Sequence, residues 1–185
     1  MINLEISNDV IIDGCEKCLK NAMALKKDGT ILFKRKRYNS AVVLLTVACE
    51  EIGKCNLLIY ELLKFIEQKD VDWETFFKQH FKDHTLRLEE FLDIFYSTGD
   101  AAKVFKMYGL DKKECAKFLQ YFKNSSLYTD FDFNTHYFYL SKENNFKDIK
   151  YGIKTLLFLL KIVLKQYRLE LKKFELDYKD VIYVD

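Results

Sequence analysis

Two short stretches of the chain carry side chains that could do acid–base chemistry. One is CEEIGKCNLL, Cys49 to Leu58, with Glu50, Glu51 and Lys54 inside an otherwise apolar run. The other is HFKDHTLR, with His80, His84 and Arg87. A carboxylate beside an imidazole can fix its tautomer and support general acid or base work. A lysine and an arginine nearby can stabilise charge on a phosphate.

The helix that carries the first stretch can be laid out on a wheel at about 100° per residue. Ala41, Leu44, Leu45, Ala48, Ile52, Cys55, Ile59, Leu62 and Leu63 share one apolar face. Glu50 and Lys54 fall opposite it, at a spacing that suits a surface ion pair. Glu51 falls on the border of the apolar face, where a carboxylate must be paired or give up its charge. On the second stretch, Phe77, Phe81, Leu88, Phe91 and Phe95 make an apolar stripe with His84 at its centre. The expected pair is therefore Glu51 with His84, approached by Lys54 and Arg87. The same four residues also fit a buried polar network that only fixes helix register. Val43, Val47 and Leu57 give this same helix, the second in the chain, another apolar side, which predicts a homodimer.

The elements that must position these residues are helices. The chain has no proline and only 6 glycines, so helix breakers are scarce. Apolar spacing predicts helices over about 13–33, 39–68, 72–96, 111–124 and 145–174. Asp72 is an expected N-cap, and Asp111 with Glu114 reads as a capping box. SSLYTDFDFNTHYFYL, rich in Tyr, Phe and Thr, predicts a short irregular or extended insertion near 125–140. The reading is a single all-α domain over 1–185, a compact antiparallel bundle of about five helices.

Composition narrows the rest. Hydrophobic residues at 49% exclude a disordered chain, and a net charge of +2 announces no general nucleic-acid binder. The N-terminus lacks a signal-peptide pattern, and TLLFLLKIVL is too short to span a bilayer. A cytoplasmic protein without membrane association is expected. The five cysteines are scattered and odd in number, which is no disulfide framework. CEKC, Cys15 to Cys18, has metal-ligand spacing but no second pair, and both cysteines continue an apolar stripe. No metal and no cofactor is expected. The basic connection KRKR, Lys34 to Arg37, reads as a solvated turn or a contact for RNA phosphates.

In order along the chain, NAMALKKDGTILFKRKRYNSAVVLLTVACEEIGK, DHTLR and LYTDF resemble the AbiV family of bacterial abortive-infection proteins, within the wider HEPN class. The resemblance runs from about Cys15 to Phe133. It implies a helical bundle, usually dimeric, that arrests growth or translation in a phage-infected cell. Many HEPN proteins are metal-independent ribonucleases with a site at the dimer interface. Their usual signature, an arginine a few residues before a histidine, is absent, since none of His80, His84 and His136 has one. Two functions follow: RNA cleavage by Glu51, Lys54, His84 and Arg87, or non-enzymatic blocking of a phage or host target. Arg37, Tyr128 and Asp130 are the expected substrate contacts, and RNA and a phage-encoded activator are the expected partners.

Overall fold

The computed structural model describes residues 6–67, 69–97, 111–127, 130–132, 137–139 and 146–177. The fold is all-α. Helix α1 spans Asn8–Lys34, α2 Tyr38–Ile66, α3 Trp73–Thr75, α4 His84–Ser97, α5 Lys112–Leu127 and α6 Phe146–Asp177. Two three-residue strands, β1 (Asp130–Asp132) and β2 (Tyr137–Tyr139), pair antiparallel with Asp130 opposite Tyr139. They occupy the stretch whose aromatic and threonine content predicts extended structure.

α1 and α2 form a hairpin. Its turn follows a Schellman pattern: Lys36 N–H donates to the Phe33 carbonyl and Arg37 N–H to the Leu32 carbonyl. The residue in the left-handed conformation is Lys36, at φ 59°, where glycine is the usual choice. At Gly29 a Cβ would lie 2.9 Å from the Leu45 side chain, so the missing side chain lets the two helices close up.

α2 is the central element and packs against α1, α4, α5 and α6. Its first apolar face, including Ala41, Leu45, Ala48, Ile52, Cys55 and Leu62, is buried as expected. Its second side is covered as well. Leu57 is buried within the same chain, and Val43 and Val47 are half-buried. The second apolar side therefore has partners in α4, α5 and α6, and does not by itself call for another subunit.

The expected helix over 72–96 is interrupted. Asp72 accepts a hydrogen bond from Thr75 N–H and starts α3 as anticipated. After Thr75 the backbone widens into a π turn over Phe76–His80, with Phe81 N–H reaching the Phe76 carbonyl at 2.8 Å. The rings of Trp73, Phe76, Phe77 and Phe81 pack against one another, Phe77 and Phe81 at 5.3 Å between centroids. Asp83 then caps a new helix, accepting from the N–H groups of Thr85 and Leu86. His84 opens α4 and is half exposed, instead of sitting at the centre of a buried stripe.

Candidate functional site

The two adjacent glutamates of α2 have exchanged the roles that the wheel predicts. Glu50 is the deeply buried one, 2% exposed. Its Oε2 lies 2.7 Å from His84 Nδ1, and its Oε1 accepts from Lys123 Nζ at 2.6 Å. Arg87 Nη1 is 3.7 Å from the same carboxylate. Glu51 instead accepts from Lys54 Nζ at 2.5 Å, one turn along its own helix. The expected surface pair of Glu50 with Lys54 and the expected pair of Glu51 with His84 are both replaced. The physical reason is the position of α2. A helix covered on nearly every side has no solvent face for Glu50 to occupy.

Each partner of Glu50 is held by its own element. Arg87 is buried, and its guanidinium folds back over the start of α4. Nε donates to the Asp83 carbonyl at 3.1 Å and Nη2 to the Lys82 carbonyl at 2.7 Å. Those bonds fix the Lys82–His84 segment and thereby the imidazole. Lys123 comes from the last turns of α5 and is itself 7% exposed. Gly53 sets the distance between α2 and α4. A Cβ there would lie 1.8 Å from the Arg87 carbonyl oxygen, closer than any side chain tolerates. The EEIGK run is thus read in full: Glu50 faces the cations, Glu51 pairs with Lys54, Ile52 enters the core and Gly53 admits α4. The Lys54 ammonium also lies 5.6 Å from the centroid of the Phe81 ring, which the π turn presents.

Three cations, Lys54, Arg87 and Lys123, face two carboxylates, so the cluster is net positive before His84 is counted. An ionised carboxylate can only accept, so His84 donates to Glu50 through Nδ1–H, which leaves Nε2 as the ring nitrogen free to exchange a proton. The side chain is 53% exposed, which leaves Nε2 as the nitrogen that meets solvent or substrate. A buried carboxylate orienting a half-exposed imidazole can move a proton at Nε2.

The neighbouring thiols are buried in the core. Burial, with the Glu51 charge adding to it, pushes the Cys18 thiol up to about 12. Burial likewise raises Cys49, beside Glu50. Cys15 Sγ–H points at the Cys55 carbonyl, 3.8 Å away, inside the α1–α2 core. Among the described residues, no group of three or more His, Cys, Asp or Glu side chains is placed to hold a metal ion.

Of the expected site residues, His84 and Arg87 come together, with Glu51 and Lys54 on the next turn of α2. Arg37 does not join them; it precedes α2 at the hairpin turn and is exposed. Tyr128 lies outside the described residues, and of Asp130 only its place in β1 is described. Glu50, Gly53 and Lys123 complete the site without having been singled out for it. Gly53 inside an apolar helix was the available signal for a close approach. A lone lysine on a charged helix gave none for Lys123.

The family model for AbiV, of the HEPN class, matches residues 10–155, a span that includes every residue of this cluster. No curated protein and no solved structure is similar enough to be matched. Among the described residues, no helix is long and apolar enough to cross a membrane.

Proposed function

The chain belongs to the AbiV family, whose membership implies abortive-infection defence against phage, and we propose that it serves this defence by cleaving RNA at His84. The observation that supports this reading is the half-exposed imidazole whose Nδ1 is held by the buried Glu50 carboxylate. His84 Nε2 takes the proton of a ribose 2′-hydroxyl. The 2′ oxygen attacks the adjacent phosphorus, and the 5′ oxygen leaves, taking a proton from solvent. The products are a 2′,3′-cyclic phosphate and a 5′-hydroxyl. Lys54, only partly buried, offers a cation to the phosphate, and Glu51 steadies it. Arg87 and Lys123 are positioning residues, since both are buried and are engaged with Glu50 and, for Arg87, with the carbonyls before α4.

RNA ends sequenced from phage-infected cells test this. New discrete ends carrying cyclic or 3′ phosphate should appear with the parent protein and vanish with His84→Ala. The variant should remain folded, because Glu50 keeps Lys123 and Arg87. Protection that survives His84→Ala sinks the cleavage reading. It would favour a module that blocks a phage or host target without chemistry, the reading that the missing arginine-to-histidine signature supports.

A homodimer is part of the proposal, on a surface other than the one α2 suggests. Phe118, Tyr121, Tyr151 and Phe158 are 61–76% exposed on α5 and α6. The groove between those helices is walled by Leu92, Leu119, Phe122, Leu156 and Leu159. Aromatic rings this exposed beside an apolar groove suit a subunit contact.

A further inference from the structure

A groove of about 810 Å³ runs between the second half of α1 and the second half of α6. Nothing in the reaction proposed for His84 uses it. Lys26, Lys27 and Lys34 of α1 and Lys165 of α6 stand along it. None of these lysines has an ion-pair partner among the described residues, and no described acidic residue lines the groove. Burial and, after it, the charge of Lys161 lower the Lys26 ammonium from its ordinary value, so the cations here crowd one another.

Between the lysines the surface is aliphatic. Met23, Ile31, Leu164 and Leu169 line the groove, with Ile31 40% and Leu169 64% exposed. The described lining holds no aromatic ring and no arginine. A nucleic-acid strand is gripped by cations together with rings or guanidinium planes that stack its bases, so an aliphatic floor adds nothing for it. An apolar floor between two lysine-bearing walls suits a helix that is itself amphipathic. The spacing agrees. Lys26 and Lys34 are eight residues apart on α1, about 12 Å at 1.5 Å per residue, and carboxylates at i and i+7 or i+8 of a facing helix span about the same distance.

We infer that this groove receives an acidic amphipathic helix from another protein. The apolar side of that helix rests on Met23, Ile31, Leu164 and Leu169, and its carboxylates meet the lysines of both walls. Relief of the repulsion between Lys26 and Lys161 adds to the attraction. A second copy of this chain fits less well, because carboxylates on its own helices are already committed, Asp13 to Lys17, Glu16 to Lys20 and Glu74 to Lys78. The inference stands apart from the reaction at His84 and from the subunit contact proposed on α5 and α6.

The probe is a labelled synthetic peptide of about five helical turns, with leucines on one side at i, i+3, i+4 and i+7 spacing and glutamates flanking them. Its fluorescence anisotropy is read against the full chain. The same peptide with every glutamate replaced by lysine is the control. A labelled oligouridylate is the rival probe, read on a chain that also carries His84→Ala so that cleavage does not intrude. The expected result is that the acidic peptide binds and the lysine peptide does not. Lys27→Glu with Lys165→Glu should weaken that binding about tenfold or more, and so should Leu169→Gln, which leaves every charge in place. All three side chains are exposed, so the thermal midpoint should hold, which separates lost binding from lost fold. No binding of the acidic peptide overturns the inference, as does equal binding of the lysine peptide, or binding that the substitutions leave unchanged. Oligouridylate that binds where the peptide does not, and responds to the lysine changes but not to Leu169→Gln, overturns it too and makes the groove a phosphate track.

Discussion

Glu50 and Glu51 are adjacent, identical in type and unequal in consequence. Glu50 is a buried carboxylate bonded to a lysine and a histidine, with an arginine close by. Removing it strands Lys123 and Arg87 as buried cations. Glu50→Ala should cost about 3–5 kcal/mol, the range for breaking a buried pair from one side. Glu51→Ala should cost less, about 1–3 kcal/mol, since it takes away the acceptor of Lys54 alone, and Lys54 keeps some access to water. Urea midpoints of the two variants check the order, and equal losses would contradict the assignment. A third carboxylate sets a pH dependence. Burial raises Glu90, although its hydrogen bond from Asn56 Nδ2 opposes the shift. A carboxyl raised in the folded state favours folding while protonated. That contribution is present below its unfolded value and lost as pH rises through its folded value. Glu90→Gln keeps the acceptor for Asn56 and has nothing to titrate. Stability measured across the acidic range should therefore fall less with rising pH in Glu90→Gln than in the parent. At this scale the sequence shows which stretches matter and misassigns the partners. Two adjacent glutamates differ by only one wheel position, and the wheel assumes a single buried face. The apolar residues Val43, Val47 and Leu57 were the sign that α2 had two.

At the scale of elements, the contact between α2 and α4 depends on one missing side chain. A Cβ at position 53 would overlap the Arg87 carbonyl oxygen, which is backbone and cannot swing aside. Gly53→Ala should push the start of α4 off α2, costing about 1–3 kcal/mol or more by overpacking. The same displacement carries His84 away from Glu50. A lowered thermal midpoint together with lost protection is the expected outcome, and an unchanged midpoint would refute the close approach. The helices themselves were legible because proline is absent and the apolar spacing is regular. The break between α3 and α4 was not. Phe77, Phe81, Leu88, Phe91 and Phe95 keep helical spacing straight through it, so periodicity alone cannot reveal it. Asp83 before His84 is a capping residue in plain view, outweighed in that reading by the uninterrupted stripe.

For the whole molecule, the exposed rings on α5 and α6 make oligomeric state the informative measurement. Light scattering at micromolar concentration should give twice the mass of one chain, and Phe118→Glu with Tyr151→Glu should return it to one. A monomeric parent would remove the dimer from the proposal. The central placement of α2 has a further consequence, in time. α1 and α2 are joined by a three-residue turn, Arg35 to Arg37, while Lys123 reaches Glu50 across 73 positions of sequence. Local contacts form fast and distant ones slowly. As the polypeptide is synthesised, the hairpin can close while the cations for Glu50 are still to come. The glutamate must then stay hydrated, holding that side of the hairpin open until α4 and α5 arrive. Pulse-labelled hydrogen exchange during refolding should show the amides of α1 protected first and those of α5 later. The burial of one carboxylate would thus mark the moment at which the hairpin becomes a folded protein.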